Sequence, residues 1–246
     1  MKIIEAFAVK NKCYQAGAPL TPRGIMLHSV GTPQPSAAVF ARSFNQYQPG
    51  GVSVCVHAFA QADGTVYQTL PWEMRGWHCG GSANSTHIGV EMTEPSAGMT
   101  RSEAAEQIAG TYRTVVELFA ELCKQYGLDP AQDGVIIGHA EGHRRGVASN
   151  HADPELLWRT YDMGYTMDGF RRDVAEAMKN GAREEALDMP RYDSVAEMPQ
   201  WARADAQRLI DRGVLSGVGN GKLDLSLDMI RTMIVCQRML DEQKET

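Results

Sequence analysis

Short apolar runs separated by turn signals, broken by longer amphipathic stretches, set the organisation of the chain as far as about Gly181. Arg23-Gly24-Ile25-Met26-Leu27-His28 reads as a short buried strand ending in a polar tip, and Gly51–Phe59, rich in β-branched residues, as another. The second run passes through Ala62-Asp63-Gly64, a hairpin turn, into a strand over Thr65–Leu70. His87–Met92 and Val135–Gly138 are two more strands, the latter ending just before His139. Between them Ile108, Tyr112, Val115, Val116, Phe119 and Cys123 recur at three- and four-residue steps, which predicts a helix from about Arg101 to Tyr126. Ser102 is its expected N-cap, with Glu103 and Glu106 in the first turn, and Gly127 is its stop. Helices are also expected over Ser36–Asn45 and from Met167 through Met178, ending near Gly181. Strands mixed with helices, without strict alternation, define an α/β domain with a mixed sheet.

Beyond that point the pattern changes. Arg183-Glu184-Glu185, Met189-Pro190 and Met198-Pro199 make 181–199 an irregular, charged linker between a main domain over 1–180 and a small helical module over 200–246. In the module, Trp201–Arg212 reads as a helix closed by Gly213, and Gly217–Gly221 as a turn-rich loop. Ser226 then caps a last helix on which Met229, Met233, Cys236 and Leu240 share one face. Two helices make too little core to stand alone, so this face is expected to dock on the main domain or on a second copy of the chain.

Composition narrows the function classes. With 246 residues, 43% hydrophobic and 22% charged, the chain has the make-up of an ordinary globular protein. A formal charge of −6 argues against nucleic acid as a partner, because phosphate binding needs a basic surface. Cys13, Cys55, Cys79, Cys123 and Cys236 are odd in number and show no CxxC spacing, so mostly buried free thiols are expected rather than a disulfide framework. Met1–Phe7 meets a charge early and has no continuous apolar stretch, and no uncharged run is long enough to span a bilayer. Synthesis in the cytoplasm, without a membrane partner, is the expectation.

The chemistry concentrates in His28, His139, His151 and Asp153, which strand ends and loops deliver rather than helix interiors. A His/His/Asp set suits zinc and leaves the fourth tetrahedral position open for water, as in catalytic rather than structural sites. His139 and His143 stand four apart and could share a metal on a helix, but Ala140-Glu141-Gly142 between them is not an HExxH arrangement, and Gly138, Gly142 and Gly146 argue for loop.

Ile25-Met26-Leu27-His28-Ser29, Val56-His57 with Asp63–Gln68, and Gly76-Trp77-His78-Cys79-Gly80-Gly81 resemble the opening half of a type-2 N-acetylmuramoyl-L-alanine amidase, a family of phage lysins and peptidoglycan recognition proteins. Asn84 with Ile88–Glu91, Val135–His139 and His151-Ala152-Asp153-Pro154 resemble its later motifs, so the likeness runs from about Arg23 to Trp158. The resemblance implies a central mixed sheet flanked by helices. It further implies zinc bound by His28, His139 and Asp153, and Glu91 as general base. His151 falls where relatives often carry lysine or threonine; there it would donate to the oxyanion, or alternatively be the third ligand with Asp153 behind it. Trp77 either faces a sugar or peptide stem or packs, His57 and His78 support the sheet or line the cleft, and Arg144, in the basic insert Glu141–Ser149, either contacts a stem carboxylate or is solvated. Trp201-Ala202, Leu209-Ile210, Gly213–Gly217 and Ile230-Arg231 are similar to a single surface-layer-homology repeat, which implies wall attachment; homodimerisation through the last helix is the competing expectation.

The expected function is zinc-dependent hydrolysis of the amide between N-acetylmuramic acid and L-alanine of bacterial peptidoglycan, by a phage or prophage lysin made in the cytoplasm and acting at the cell wall. A non-catalytic peptidoglycan-binding module and a cytoplasmic amidase recycling wall fragments are the alternatives.

Overall fold

Residues 1–46, 54–188 and 191–242 are described by a computed structural model, with the side chains at 181–188, 228 and 238–242 outside the description. In chain order the elements are β1 (Lys2–Glu5), α1 (Lys12–Ala16), β2 (Gly24–Ser29), α2 (Ala37–Phe44), β3 (Ala58–Ala60), β4 (Thr65–Gln68), a 3-10 turn at Ser82–Ser85, β5 (His87–Met92), α3 (Arg101–Tyr126), β6 (Ile136–Gly138), α4 (His139–Arg144), α5 (Glu155–Thr160), α6 (Met167–Asp188), β7 (Arg191–Tyr192), α7 (Gln200–Asp211), β8 (Leu225–Ser226) and α8 (Leu227–Glu242). They divide into two compact units, Met1–Asn180 and Gly181–Thr246. Among the described residues no helix is long and apolar enough to cross a membrane.

The first unit is built on a six-stranded mixed sheet of order β1-β4-β3-β5-β2-β6. β3 and β4 form an antiparallel hairpin, while β1–β4, β3–β5, β2–β5 and β2–β6 run parallel. Period-two alternation gives the central strands two different faces. Ile25, Leu27, Ile88, Val90, Met92 and Ile136 face a core completed by Ile108, Val115, Leu118 and Phe119 of α3 and by Phe170 and Val174 of α6. Met26, His28, Gly89 and Glu91 alternate with them and turn to the other side. The expected α/β class with a mixed sheet is what forms, and helices flank it.

Local differences from the sequence pattern have physical causes. β1 was not expected because it is an edge strand with mostly exposed residues, held by register with β4 rather than by an apolar signature. The expected Gly51–Phe59 strand shortens to Ala58–Ala60; Cys55 makes an isolated bridge with Trp77, and 51–53 lie outside the described residues. The N-cap of α3 is Thr100, not Ser102. Thr100 Oγ1 accepts the Glu103 N–H at 3.3 Å while Glu103 Oε2 accepts the Thr100 N–H at 2.7 Å, a reciprocal box that Ser102, inside the first turn, cannot form. Gly127, at φ 62°, closes the helix in the left-handed region.

Helix α6 runs through Gly181 to Asp188, where an irregular linker was expected, because Ala182-Arg183-Glu184-Glu185-Ala186-Leu187 are strong helix formers that outweigh one glycine. Met189 and Pro190 of that expected linker lie outside the described residues. The second unit is not purely helical: β7 and β8 pair antiparallel beside α7 and α8. Its core is Met198, Ala202, Ala206, Leu225, Ile230 and Ile234, with Met233 at the margin. Met229 is 46% exposed and Cys236 is exposed, so the buried stripe of α8 follows Ile230 and Ile234 rather than the face read from Met229, Met233, Cys236 and Leu240; the Leu240 side chain lies outside the description.

The capping geometry predicts that Thr100→Ala lowers unfolding free energy by about 1 kcal/mol, whereas Ser102→Ala leaves it nearly unchanged, as measured by urea denaturation.

Candidate active site

The polar face of the sheet meets three loops at one end of the parallel strands. In β2 and β5, His28 and Glu91 are register partners, so they stand side by side on the same face. β6 pairs with β2 up to Leu27 and Gly138, which places His139, the first residue of α4, beside His28. Asp153 arrives from the loop before α5; its carbonyl accepts the Ala140 N–H at 3.1 Å and its Oδ2 accepts the Ser29 N–H at 3.3 Å. His28, His139 and Asp153 then offer ligand atoms that all lie within 4.8 Å of one another. The three come together although two of them are 111 positions apart in sequence.

Hydrogen bonding assigns the protons. The His87 carbonyl can only accept, so His78 Nε2, at 3.2 Å, carries a hydrogen and His78 Nδ1 is bare. His28 Nε2 lies 2.9 Å from that bare nitrogen and must donate to it, which leaves His28 Nδ1 without a proton. On the other side Ser149 Oγ gives its one hydrogen to the Cys79 carbonyl at 3.0 Å. His139 Nε2, 3.3 Å from Ser149 Oγ, therefore donates to it, and His139 Nδ1 is bare as well. The two bare nitrogens are 3.0 Å apart, with Asp153 Oδ2 at 3.3 Å from His28 Nδ1 and Oδ1 at 3.4 Å from His139 Nδ1. Two lone pairs and a carboxylate converging on one point fit a divalent cation, and the neutral-nitrogen and oxygen donor set suits zinc.

Electrostatics agree with that assignment. Burial holds His28 below the usual imidazole range, so it stays neutral and able to coordinate. His78 is pushed lower still, by burial first and by the neighbouring His28 and His57 next. Burial alone would raise the Asp153 carboxyl; His139 and His28 pull it below the ordinary carboxylate range only where their Nδ1 atoms carry hydrogens, so with both nitrogens bare it is a cation between them that would hold Asp153 ionised. Burial drives Glu91 far in the other direction, reinforced by the negative charges of Asp153 and Glu94. Its Oε2 is buried with no hydrogen-bond partner among the described residues.

A cleft of about 860 Å³ opens over these groups, lined among others by Val54, Trp77, Glu94, His151, Leu156 and Tyr161. Trp77 presents part of its ring to the cleft and packs the rest against Ala8, Cys13, Cys55 and Leu70, so both readings of it have a surface. His151 is exposed, tilted over the His139 ring at 4.5 Å between centroids, and touches Ser149 Oγ through Nδ1 at 3.1 Å. It stands outside the convergent ligand set. His78 lines the cleft and also backs His28; its ring lies against Gly89, where an added Cβ would sit 2.4 Å away. Arg144 is 63% exposed, faces Glu155 Oε1 at 3.6 Å and is not among the residues lining the cleft. His143 is exposed on α4, so the helix pairs it with His139 in sequence without bringing it to the site. His57 is a buried structural residue: Nε2 donates to the Met74 carbonyl at 2.8 Å, Nδ1 accepts the Gly89 N–H at 2.9 Å, and burial pushes its pKa down to about 4.

Two supports were not singled out as such from the sequence. Ser149 is an ordinary loop serine with no local signal. Asn84, although part of a recognised motif, gains its role only in space, its Oδ1 accepting the N–H groups of His78 at 2.9 Å and Cys79 at 3.0 Å.

Comparison with known proteins places this chain in a family. The sequence model described as N-acetylmuramoyl-L-alanine amidase matches residues 18–156, more than half of the chain. No curated protein matches the sequence. Among solved structures, the Staphylococcus aureus hydrolase AmiA in complex with its ligand is similar at a TM-score of 0.58 and 20% identity, covering 75% of this chain and 86% of that one. The catalytic domain of XlyA is similar at 0.51 and 22%, covering 71% and 99%. A mutant endolysin from Bacillus subtilis is similar at 0.50 and 21%, again covering 71% and 99%. At these identities the structural likeness is one of fold.

The convergent donor set predicts that Asp153→Ala abolishes stoichiometric metal binding while His151→Ala retains it, as read by elemental analysis of the purified variants. The reverse pattern would exchange the two residues' roles.

Proposed function

The chain belongs to the N-acetylmuramoyl-L-alanine amidase family, and on that premise we propose that it is a zinc-dependent lysin that cuts peptidoglycan between the lactyl group of N-acetylmuramic acid and L-alanine. The observation that carries the proposal is Glu91, on the cleft wall beside His28 with its Oε2 buried and unpartnered among the described residues, next to two bare imidazole nitrogens and Asp153. A buried acceptor without a partner costs roughly 1–3 kcal/mol, and such a cost is expected where a reacting proton is to be taken up.

His28 and His139 would hold the metal through Nδ1 and Asp153 through a carboxylate oxygen. A zinc ion there would supply Lewis acidity, polarising the scissile carbonyl and lowering the pKa of water. Glu91 takes the proton of the attacking water and returns it to the departing L-alanine nitrogen, so that a C–N bond breaks, a lactyl carboxylate forms and a free amine leaves. His151, at the cleft's rim, donates to the developing oxyanion. Its Nδ1 faces Ser149 Oγ at 3.1 Å, which leaves Nε2 as the ring nitrogen free to meet the substrate. Trp77 offers the aromatic wall for sugar or stem peptide. The structural likeness to an endolysin fits a lysin that accumulates in the cytoplasm and reaches the wall through a lesion made by another protein. In the second unit, exposed Trp201, Val214 and Val218 are apolar surface suited to a wall polymer or to a second copy of the chain.

Glu91→Gln is expected to keep its metal and to lose at least about 100-fold in turnover. Mass spectrometry of wall digests reads the activity: free lactyl carboxylates and new L-alanine N-termini appear together with the wild type and not with the variant, and binding to walls with no such products would leave a binding module instead. His151→Lys, which keeps a hydrogen-bond donor at that position, should retain turnover that His151→Ala loses.

A further inference from the structure

We propose that Arg171 and Glu141, outside the cleft, are positioning residues for His139. The inference rests on the metal-site reading above and extends it to residues that are neither candidate ligands nor part of the cleft lining. The difficulty they address is local. His139 is the first residue of α4, a helix of only six residues, too short to hold its own geometry. Yet its Nδ1 must stay 3.0 Å from that of His28.

One guanidinium spans the junction. Arg171 Nη1 donates to Glu141 Oε2 at 2.9 Å and Nη2 to Glu141 Oε1 at 3.1 Å, a bidentate fork. The same Nη1 donates to the Ile136 carbonyl of β6 at 2.9 Å. Glu141 Oε2 in turn accepts the Gly138 N–H, the residue immediately before His139, at 3.3 Å. Residues 136, 138 and 141 are thus tied to one planar group, and His139 sits between the ties. The fork is shielded, with Arg171 and Glu141 side chains 20% and 15% exposed, so solvent screens it far less than the Asp168 contact on its outer side, where Asp168 is 88% exposed. A lysine at position 171 could not serve, because one ammonium cannot span two carboxylate oxygens and a carbonyl in fixed directions.

Cobalt titration of the metal-free full chain, followed by the d–d absorption spectrum, separates positioning from mere packing. Arg171→Met is expected to weaken Co2+ binding by about 10–100-fold and to change the spectrum, with Arg171→Lys close to it. Asp168→Asn should bind as wild type. Phe170→Leu, which loosens α6 in the core without touching the fork, should lower the melting temperature and leave Co2+ affinity and spectrum unchanged. Should Arg171→Met not fold, Glu141→Gln carries the same expectation in the same direction. Wild-type affinity and spectrum in Arg171→Met, or in Glu141→Gln in its place, would overturn the inference while leaving the metal site intact. Wild-type protein that binds no Co2+ would overturn the metal reading and this inference with it.

Discussion

Two imidazole nitrogens with no proton between them, 3.0 Å apart and each beside the same carboxylate, are the constraint around which the first unit is arranged. Such lone pairs repel unless a cation lies among them, so the surrounding hydrogen bonds must keep both rings in the tautomer that leaves Nδ1 bare. Two backbone carbonyls do this at a distance. His87 acts through His78, and Cys79 acts through Ser149. Because a carbonyl cannot donate, each chain of bonds has one direction, and the protonation of the site follows from the backbone rather than from chance rotation of side chains.

The sheet carries this arrangement by giving its two faces different tasks. One face, through Leu27, Val90 and their neighbours, is sealed against α3 and α6 and supplies the hydrophobic stabilisation. The opposite face holds His28 and Glu91 at the same register, with Gly89 left without a side chain so that the His78 ring can lie against the backbone. The buried Glu91 Oε2, unpartnered among the described residues, is a local cost to stability, which the packed face tolerates because the two faces share a rigid backbone. Burial and the negative charges of Asp153 and Glu94 raise the Glu91 pKa, which suits a group that takes up a proton.

The C-terminal unit follows another logic. Its core is a few apolar residues from α7, α8 and the β7–β8 pair, and its Trp201, Val214 and Val218 remain in water. A small core of this kind is compatible with a module whose outer surface matters more than its interior, which suits the attachment or self-association proposed for it.

Local periodicity, read along the chain, determined much of this architecture. The short apolar run of Arg23–His28, the strand His87–Met92, the three-and-four spacing of α3 and the Asp63-Gly64 turn are properties of neighbouring residues, and they form within a residue or so of where the pattern puts them. The ordered motifs from Arg23 to Trp158 also carried the family likeness and, with it, the ligand residues as candidates. What only the tertiary structure decided depends on partners far apart in sequence. That His78 backs His28, that Arg144 turns to Glu155, that Thr100 caps α3, and that Ile230 and Ile234 form the buried stripe of α8 are outcomes of competition among nearby alternatives. Periodicity cannot rank such alternatives, because a hydrogen-bond partner 50 or 111 positions away leaves no trace in the local pattern. The residues at the site could be named from the chain; their protonation and division of labour exist only once the sheet brings them together.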